Sequence, residues 1–315
     1  MSEIDFANLD DASFQRLYAE RIEPCFVGNE TDRIAAVATF KRRLSIGAPI
    51  IVAIVIGLWF GTHEPGLAFA AAIFGGFILS FVAYSPLGKV GLKVKGDYCT
   101  AIAQAMDASF AMSGFAPPAL ERLKALRLLP SYARSTFEDL FHGAYKDAAY
   151  DLYEGHLEQR TTDSKGRTHY NTVFRGQLIR MAFPRKFLGV TIIRRDASVF
   201  NVFGGGEGLK KVGLEDPVFE KAFEVWGTDQ VEARYLLHPV LMQRLLDLET
   251  SFKGKSLRCA FEGGDFLVAI EGGNLFEPGD LFKSFNDPSR ARRIVDEIAN
   301  VVRVMDQALG AQARR

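Results

Sequence analysis

The sequence predicts an α+β protein in which a two-helix transmembrane hairpin is joined to a cytoplasmic domain with an antiparallel sheet and a C-terminal helix. Three observations predict this class. Two uncharged apolar stretches lie close together in the first third of the chain, alternating apolar and polar residues follow from residue 149, and an amphipathic pattern closes the sequence. The 315 residues therefore divide into N-terminal helices (1–43), the hairpin (44–84), a helical neck (85–146) and the cytoplasmic domain (147–315).

Composition excludes several classes of protein. The chain has 38 basic and 38 acidic residues, so a formal net charge of zero gives no general electrostatic attraction to nucleic acid. Its three cysteines, Cys25, Cys99 and Cys259, are far apart and odd in number. This pattern argues against a disulfide framework and against a cysteine-ligated zinc site. We expect a reducing compartment and no nucleic-acid partner.

The N-terminal segment, residues 1–43, is expected to form two short helices. Asp10 or Asp11 can cap the first, and the second starts at Asn29 or Thr31 and continues toward the membrane.

The hairpin is predicted from two uncharged stretches, Leu44–Phe60 with 17 residues and Leu67–Tyr84 with 18. At 1.5 Å per residue each spans roughly 26 Å, close to the hydrocarbon core of a bilayer. The six residues 61–66 between them are rich in turn formers. Lysines and arginines flank the hairpin on both outer sides, whereas the connecting turn has none, so both termini are expected in the cytoplasm. These flanking residues are Lys41, Arg42, Arg43, Lys89, Lys93 and Lys95.

Small residues recur every four positions in both spans, which would let helix backbones approach closely. They are Ala53, Gly57 and Gly61 in the first span and its end, and Ala68, Ala72, Gly76 and Ser80 in the second. Either they pack within one hairpin, so that leucine at position 57 or 76 would disturb it, or they form a self-association face of a homo-oligomer. Neither span has an ionisable residue, which disfavours an ion or proton pathway.

The neck is predicted from helical patterns over 86–112 and 119–129, whereas 131–141 is ambiguous. From residue 149 the apolar residues no longer follow helical spacing and instead alternate with polar ones. Strands are expected over 149–160, 169–183, 187–195 and 223–227, with an antiparallel pair within 256–273. Helical sequence over 230–251 is interrupted at Pro239, and Asp287-Pro288 opens a final helix. A barrel capped by that helix, as in pleckstrin-homology-like modules, is one arrangement that fits this order.

The sequence contains no recognisable catalytic set. The glycine-rich segment 204–208, followed by Lys210 and Lys211, lacks the spacing of a phosphate-binding loop. The five histidines form no short metal-binding motif, and no G-x-S-x-G elbow is present. We therefore predict no catalytic residue, metal ligand or cofactor, and enzymatic activity is less favoured than binding.

The densest polar cluster is formed by Asp229, Gln230, Glu232 and Arg234. One interpretation is a helix cap, with Thr228 or Asp229 as the capping residue. The alternative is that these carboxylate and guanidinium groups bind a small ligand or a partner.

A family resemblance rests on three features: the run 219–239, which includes Trp226-Gly227-Thr228-Asp229, the segment Val173-Phe174-Arg175-Gly176, and the hairpin. Together they resemble the bacterial membrane family catalogued as domain of unknown function 3137, over nearly the whole chain. The resemblance implies a location in the bacterial inner membrane and a LemA-like membrane protein as a partner, but it brings no activity. In the 219–239 run, the aromatic residues Phe219, Phe223 and Trp226 are expected in the core.

Three functional classes remain. A membrane-anchored cytoplasmic binding or scaffold module is favoured, because the hairpin supplies location without a pathway. The alternatives are an enzyme acting on a membrane-proximal substrate and an oligomeric structural membrane assembly.

Overall fold

A computed structural model describes residues 9–146, 148–183, 186–195, 208–251, 256–274, 276–277, 279–284 and 288–313. The chain forms two compact units. One comprises Met1–Gln15, Ile102–Phe276 and Arg292–Arg315, and the other comprises Arg16–Ala101 and Glu277–Ala291.

The N-terminal region is one nearly continuous helical path. Helix α1 (Asp11–Leu17) passes through a π-helical stretch, Tyr18–Ile22, into the 40-residue helix α2 (Glu23–Thr62). The Asp10 carboxylate accepts a hydrogen bond from the Ser13 N–H at 2.7 Å, so Asp10 caps α1 as one of the two predicted candidates. The predicted second helix is thus the first part of α2.

Helix α2 is followed by α3 (Pro65–Ala105), and only His63 and Glu64 lie between them. His63 adopts a left-handed φ of 55°, and its N–H donates to the Trp59 carbonyl at 3.1 Å, which closes α2. Both helices are long and apolar enough to span a membrane. Their most apolar windows are 0% and 11% buried, unlike core helices of a soluble protein, so these helices indicate membrane association.

The C-terminal part of the chain is an α+β domain around a nine-stranded antiparallel sheet with order β1-β2-β3-β4-β9-β8-β5-β7-β6 among the described residues. The first five strands are β1 (Ser109–Ala111), β2 (Arg134–Tyr145), β3 (Ala148–Thr162), β4 (Thr168–Ala182) and β5 (Thr191–Arg195). The others are β6 (Lys210–Lys211), β7 (Phe223–Gly227), β8 (Leu257–Glu262) and β9 (Asp265–Glu271).

The sheet is open, which corrects the barrel arrangement: β1 and β6 occupy its two edges, and no pairing joins them in the described part of the chain. A second correction concerns the predicted helical neck. Only α4 (Leu120–Ala125) is helical between the end of α3 and residue 146, because β1 and β2 extend the sheet there.

Local chemistry explains the long β3–β4 hairpin. One Asp163 carboxylate oxygen accepts the N–H groups of Lys165 and Arg167, both at 2.9 Å, and Gly166 takes a positive φ of 76°. The backbone hydrogen bond from Arg167, with others from its side chain and from Lys165, lowers the pKa of Asp163. The predicted strand pair at 149–183 is therefore present.

Four helices follow or flank the later strands: α5 (Pro217–Ala222), α6 (Gln230–Leu236), α7 (Pro239–Ser251) and α8 (Pro288–Ala313). The helix break predicted at Pro239 is confirmed. Glycine-rich residues 204–207 and Asp287 lie outside the described residues.

One hydrophobic cluster joins the sheet to the segment around α4. Tyr153 and Leu157 from β3 and Leu178 from β4 pack there with Leu123 and Leu128, each fully buried. On α8, the predicted apolar face is buried, and the α8 residue Asp306 accepts a hydrogen bond from the Tyr145 hydroxyl at 3.2 Å.

Candidate functional site

Asp229 is the N-cap of α6. One of its carboxylate oxygens accepts the N–H groups of Val231 and Glu232, both at 2.9 Å. The neighbouring Thr228 hydroxyl accepts the Val190 N–H at 2.8 Å. The two bonds to Asp229 satisfy backbone donors at the start of α6, so its carboxylate is used in capping, whereas the Thr228 bond holds the segment before β5.

Glu232 links α6 to the segment before β5. Its side chain is 1% exposed, and its two oxygens accept the N–H groups of Leu188 at 2.9 Å and Gly189 at 2.8 Å. A carboxylate that holds two backbone donors in this way positions a loop. Glu232 therefore acts in the fold rather than on a surface available to a ligand.

Gln230 and Arg234 lie one turn apart on α6, as predicted. Their side chains donate hydrogen bonds to backbone carbonyls at the end of β6 and just after it. The Arg234 guanidinium donates to the Gly213 carbonyl at 3.2 Å and to the Gln230 side-chain oxygen at 3.4 Å. The Gln230 amide donates to the Lys211 carbonyl at 3.4 Å. Of the four predicted residues, Arg234 lines a cavity, which the sequence did not reveal.

This cavity is a solvent-open groove of about 760 Å³ between the loop 213–215, the end of α6 and the start of α7. Its volume lies within the range of small-ligand and side-chain pockets. Its lining combines an apolar floor with charged and polar groups. The apolar residues are Leu214, Tyr235, Leu237, Pro239 and Met242, and the polar ones are Glu215, Arg234 and His238.

Exposed apolar side chains occur on the helices that carry or adjoin the groove. Val218 of α5 is 66% exposed, Val231 of α6 is 76% exposed and Val240 of α7 is 47% exposed. None of these three valines lines the groove, and isolated exposed valines are ordinary.

A second cluster was missed by sequence reasoning. Glu138, Asp139 and Glu154 each place a carboxylate oxygen within 4.8 Å of the others. Asp139 is fully buried and Glu154 is 3% exposed. Sixteen positions separate Glu138 from Glu154, so only strand pairing brings them together, and no short motif could reveal it.

The best-formed histidine–carboxylate pair belongs to a cross-strand ion-pair network. His142 Nδ1 lies 2.7 Å from Asp151, whose other oxygen contacts Arg180 at 3.1 Å. Arg180 also donates to Asp265 at 3.1 Å. The arginine between two acids accounts for this network as a brace across the sheet.

Cys259 shows no sign of nucleophilic activation. Cys259 is fully buried, and burial raises the pKa of its thiol.

The predicted small-residue stripes lie mostly on exposed surfaces of α2 and α3. A Cβ atom added at Gly57, Gly61 or Gly76 would meet no atom within 4 Å. Ala53, Ala72 and Ser80 are exposed, and Ala68 is buried. The two helices instead approach at Gly47, beside Leu79, and at Gly75, beside Ile51. Gly57 and Gly76 are therefore not points of close helix approach within the hairpin, and the effect of leucine at these positions stays a prediction.

In the family-resemblance run, Phe219 and Phe223 are buried, with ring centroids 4.9 Å apart, whereas Trp226 is only partly buried. Gly176 has a packing reason: a Cβ there would overlap the Ile270 carbonyl oxygen on the paired strand β9.

Comparisons with known proteins give a family and one structural likeness. No curated protein matches the chain. The crystal structure of the mycobacterial trehalose monomycolate transport factor A, TtfA, is similar with 12% sequence identity and a TM-score of 0.36, over 67% of this chain and 95% of that chain. Residues 172–308 match the model of the family described as protein of unknown function (DUF3137). The predicted family resemblance is thus confirmed for this segment, which includes α6 and α7.

Proposed function

We propose that this protein is a membrane-anchored cytoplasmic binding module that holds a partner protein in the groove between the loop 213–215, α6 and α7. The groove carries the proposal, because it joins an apolar floor to charged residues on the part of the chain that matches the family. In this proposal α2 and α3 cross the inner membrane of a bacterium, with both termini in the cytoplasm.

The distribution of charge supports that orientation. Lys41, Arg42 and Arg43 precede the first apolar stretch, and lysines follow the second, while the turn at His63 and Glu64 has no Lys or Arg. Basic residues flanking a span are retained on the cytoplasmic side. The domain that follows α3 is then cytoplasmic, beside the inner leaflet.

The lining of the groove defines the chemistry of the partner. Leu214, Tyr235 and Met242 suit an apolar side chain, and the exposed Arg234 suits a carboxylate beside it. A protein segment with an apolar anchor next to Asp or Glu satisfies both. Another membrane protein is the partner class we propose, with a LemA-like protein as the first candidate.

Site-specific photocrosslinking in native membranes tests this proposal. The probe p-benzoylphenylalanine replaces Tyr235, which lines the groove, or Tyr170, a matched tyrosine on β4 that is 41% exposed. We expect one defined heterologous adduct from position 235 and none from position 170. Arg234→Glu should weaken that adduct, and Arg234→Lys should retain part of it.

Other outcomes would replace the proposal. Equal adducts from both positions, or none from position 235, would show that the groove binds no protein. An adduct with a second copy of the chain would favour the oligomeric assembly. A small molecule that co-purifies in the groove would favour the enzyme.

A further inference from the structure

We propose that residues 279–284 form a lipid-contact turn, which inserts Phe282 into the headgroup layer of the membrane among basic residues that bind the phosphate groups of anionic lipids. The inference rests on the crossing of the membrane by α2 and α3, which is part of the proposed function. It uses none of the residues that line the groove.

The lipid-contact turn is fixed to both long apolar helices, with which it shares a compact unit. The Phe282 carbonyl accepts a hydrogen bond from the Arg33 guanidinium of α2 at 3.2 Å. The Phe282 ring also meets the Phe40 ring of α2 edge to face, with centroids 5.3 Å apart, a favourable geometry for aromatic pairs. Just before the turn, Glu277 pairs with the buried Lys95 of α3 at 3.4 Å.

The contact with Phe40 sets the depth of the Phe282 ring. Phe40 lies four residues before Leu44, where the uncharged stretch of α2 begins, which is about 6 Å along the helix axis. The headgroup layer on each side of the hydrocarbon core is about 5–8 Å thick. If Leu44 marks the edge of the hydrocarbon, the Phe282 ring beside Phe40 lies at the depth of the headgroups.

The exposure of Phe282 is unusual in this chain. Its neighbour Leu281 is buried, but Phe282 is 47% exposed. Among the residues that the structure describes, it is the only exposed phenylalanine outside α2 and α3. The Asp280 carboxylate accepts the Phe282 N–H at 3.0 Å, and the Asp280 carbonyl accepts the Lys283 N–H at 3.2 Å, so the turn itself presents this ring. Aromatic side chains at the headgroup boundary gain stability by leaving water.

The charge around the lipid-contact turn matches anionic lipid. Residues 34–43 contain three bases and no acid, and residues 85–96 on α3 also contain three bases and no acid. Basic residues next to a membrane are attracted to anionic headgroups. Four exposed bases have no side-chain hydrogen bond or ion pair within the described part of the chain and are available for phosphate groups. They are Lys41, Arg42, Lys89 and Lys283.

Photocrosslinking to lipid tests the lipid-contact turn. The full chain, with p-benzoylphenylalanine at position 282, is placed in nanodiscs of equal parts phosphatidylcholine and phosphatidylglycerol, and mass spectrometry identifies each adduct. Position 77, an exposed phenylalanine in the apolar stretch of α3, is the positive control. Position 34, an exposed isoleucine about 15 Å before Leu44 along α2, is the negative control. We expect lipid adducts from positions 282 and 77 and none from position 34.

The identity of the lipid tests the role of the basic residues. We expect phosphatidylglycerol to exceed phosphatidylcholine among the adducts from position 282. One Lys or Arg beside an anionic membrane surface changes the affinity by up to about fivefold. Lys283→Gln should therefore lower the ratio of the two lipids by up to that factor, and Lys283→Arg, which keeps the charge, should retain the ratio.

Four results would overturn the inference. If position 77 forms lipid adducts and position 282 does not, or position 282 reacts with a second copy of the chain, α2 and α3 enter the membrane but the turn does not contact lipid. If position 34 reacts as strongly as position 282, exposure alone explains the adducts. If the lipids react in the ratio supplied and Lys283→Gln changes nothing, anionic lipid is not recognised. If position 77 forms no lipid adduct either, the membrane crossing fails and the inference fails with it.

Discussion

Replacing Glu232 tests whether the polar cluster on α6 supports the fold or binds a ligand. The carboxylate is 1% exposed and accepts two backbone N–H groups, from Leu188 and Gly189. Hydrogen bonds to a charged group contribute about 1.5–3 kcal/mol each. Leu188 is 76% exposed, so water can replace part of what its N–H loses. We therefore take the lower end, about 3 kcal/mol for Glu232→Ala.

A loss of that size lowers the melting temperature by about 6–12 °C, at 2–4 °C per kcal/mol for a domain of 150–250 residues. Glu232→Gln keeps one acceptor oxygen and should lose about half as much. The measurement is thermal unfolding of the full-length chain in mild detergent. Glu215→Ala, which removes an exposed acid from the groove, is the control and should leave the melting temperature unchanged.

The refuting result is specific. If Glu232→Ala and Glu232→Gln melt at the wild-type temperature but abolish the crosslinked adduct at position 235, Glu232 binds the partner and its role in the fold is wrong. If Glu232→Ala has the lowest melting temperature and Glu232→Gln lies between it and the wild type, the two backbone hydrogen bonds are supported as the main function of Glu232.

Three further predictions are tested on the full-length chain. Phe223→Ala, at a buried position, should cost about 3–5 kcal/mol, and Trp226→Ala, at a partly buried one, should cost less; equal melting temperatures for the two variants would contradict this ranking. Gly75→Leu should destabilise the α2–α3 pair through contact with Ile51, whereas Gly57→Leu should not, as thermal unfolding in nanodiscs can measure. Burial raises the pKa of Tyr150 from 10.0 to about 12, so folding favours the neutral hydroxyl. The stability that depends on this neutral hydroxyl is complete below pH 10 and is lost as the pH rises toward 12. Tyr150→Phe should remove up to about 3 kcal/mol of alkaline destabilisation, and identical unfolding of variant and wild type from pH 9 to 12 would refute that assignment.

Strand β2 shows why part of the sheet could not be predicted. Its apolar residues Phe137, Leu140, Phe141 and Ala144 follow the spacing of one helix face. The β2–β3 register shifts between Glu138 and Phe141. Such a bulge reverses which residues point to a given face of the sheet, so apolar residues three and four positions apart can occur in one strand. A local pattern cannot distinguish this from a helix.

The sequence by itself determined the features that depend on neighbouring residues. The uncharged stretches identified α2 and α3, and the alternation identified β3 and β4. The pair β8 and β9 was identified as two short strands around Gly263-Gly264, and Asp229 and Pro239 marked where α6 and α7 begin. In each case the physical cause, whether apolar length, pleat periodicity, a capping side chain or a missing N–H, lies within a few residues.

Only the tertiary structure decided which distant residues meet. Strand pairing placed Glu138 opposite Glu154 and Glu154 opposite Gln177, and the loop 213–215 met α6 and α7 to form the groove. It also left the sheet open where the sequence allowed a barrel. Register and strand order are set by the burial of whole faces and by long-range hydrogen bonds, so they depend on the complete fold rather than on any one segment.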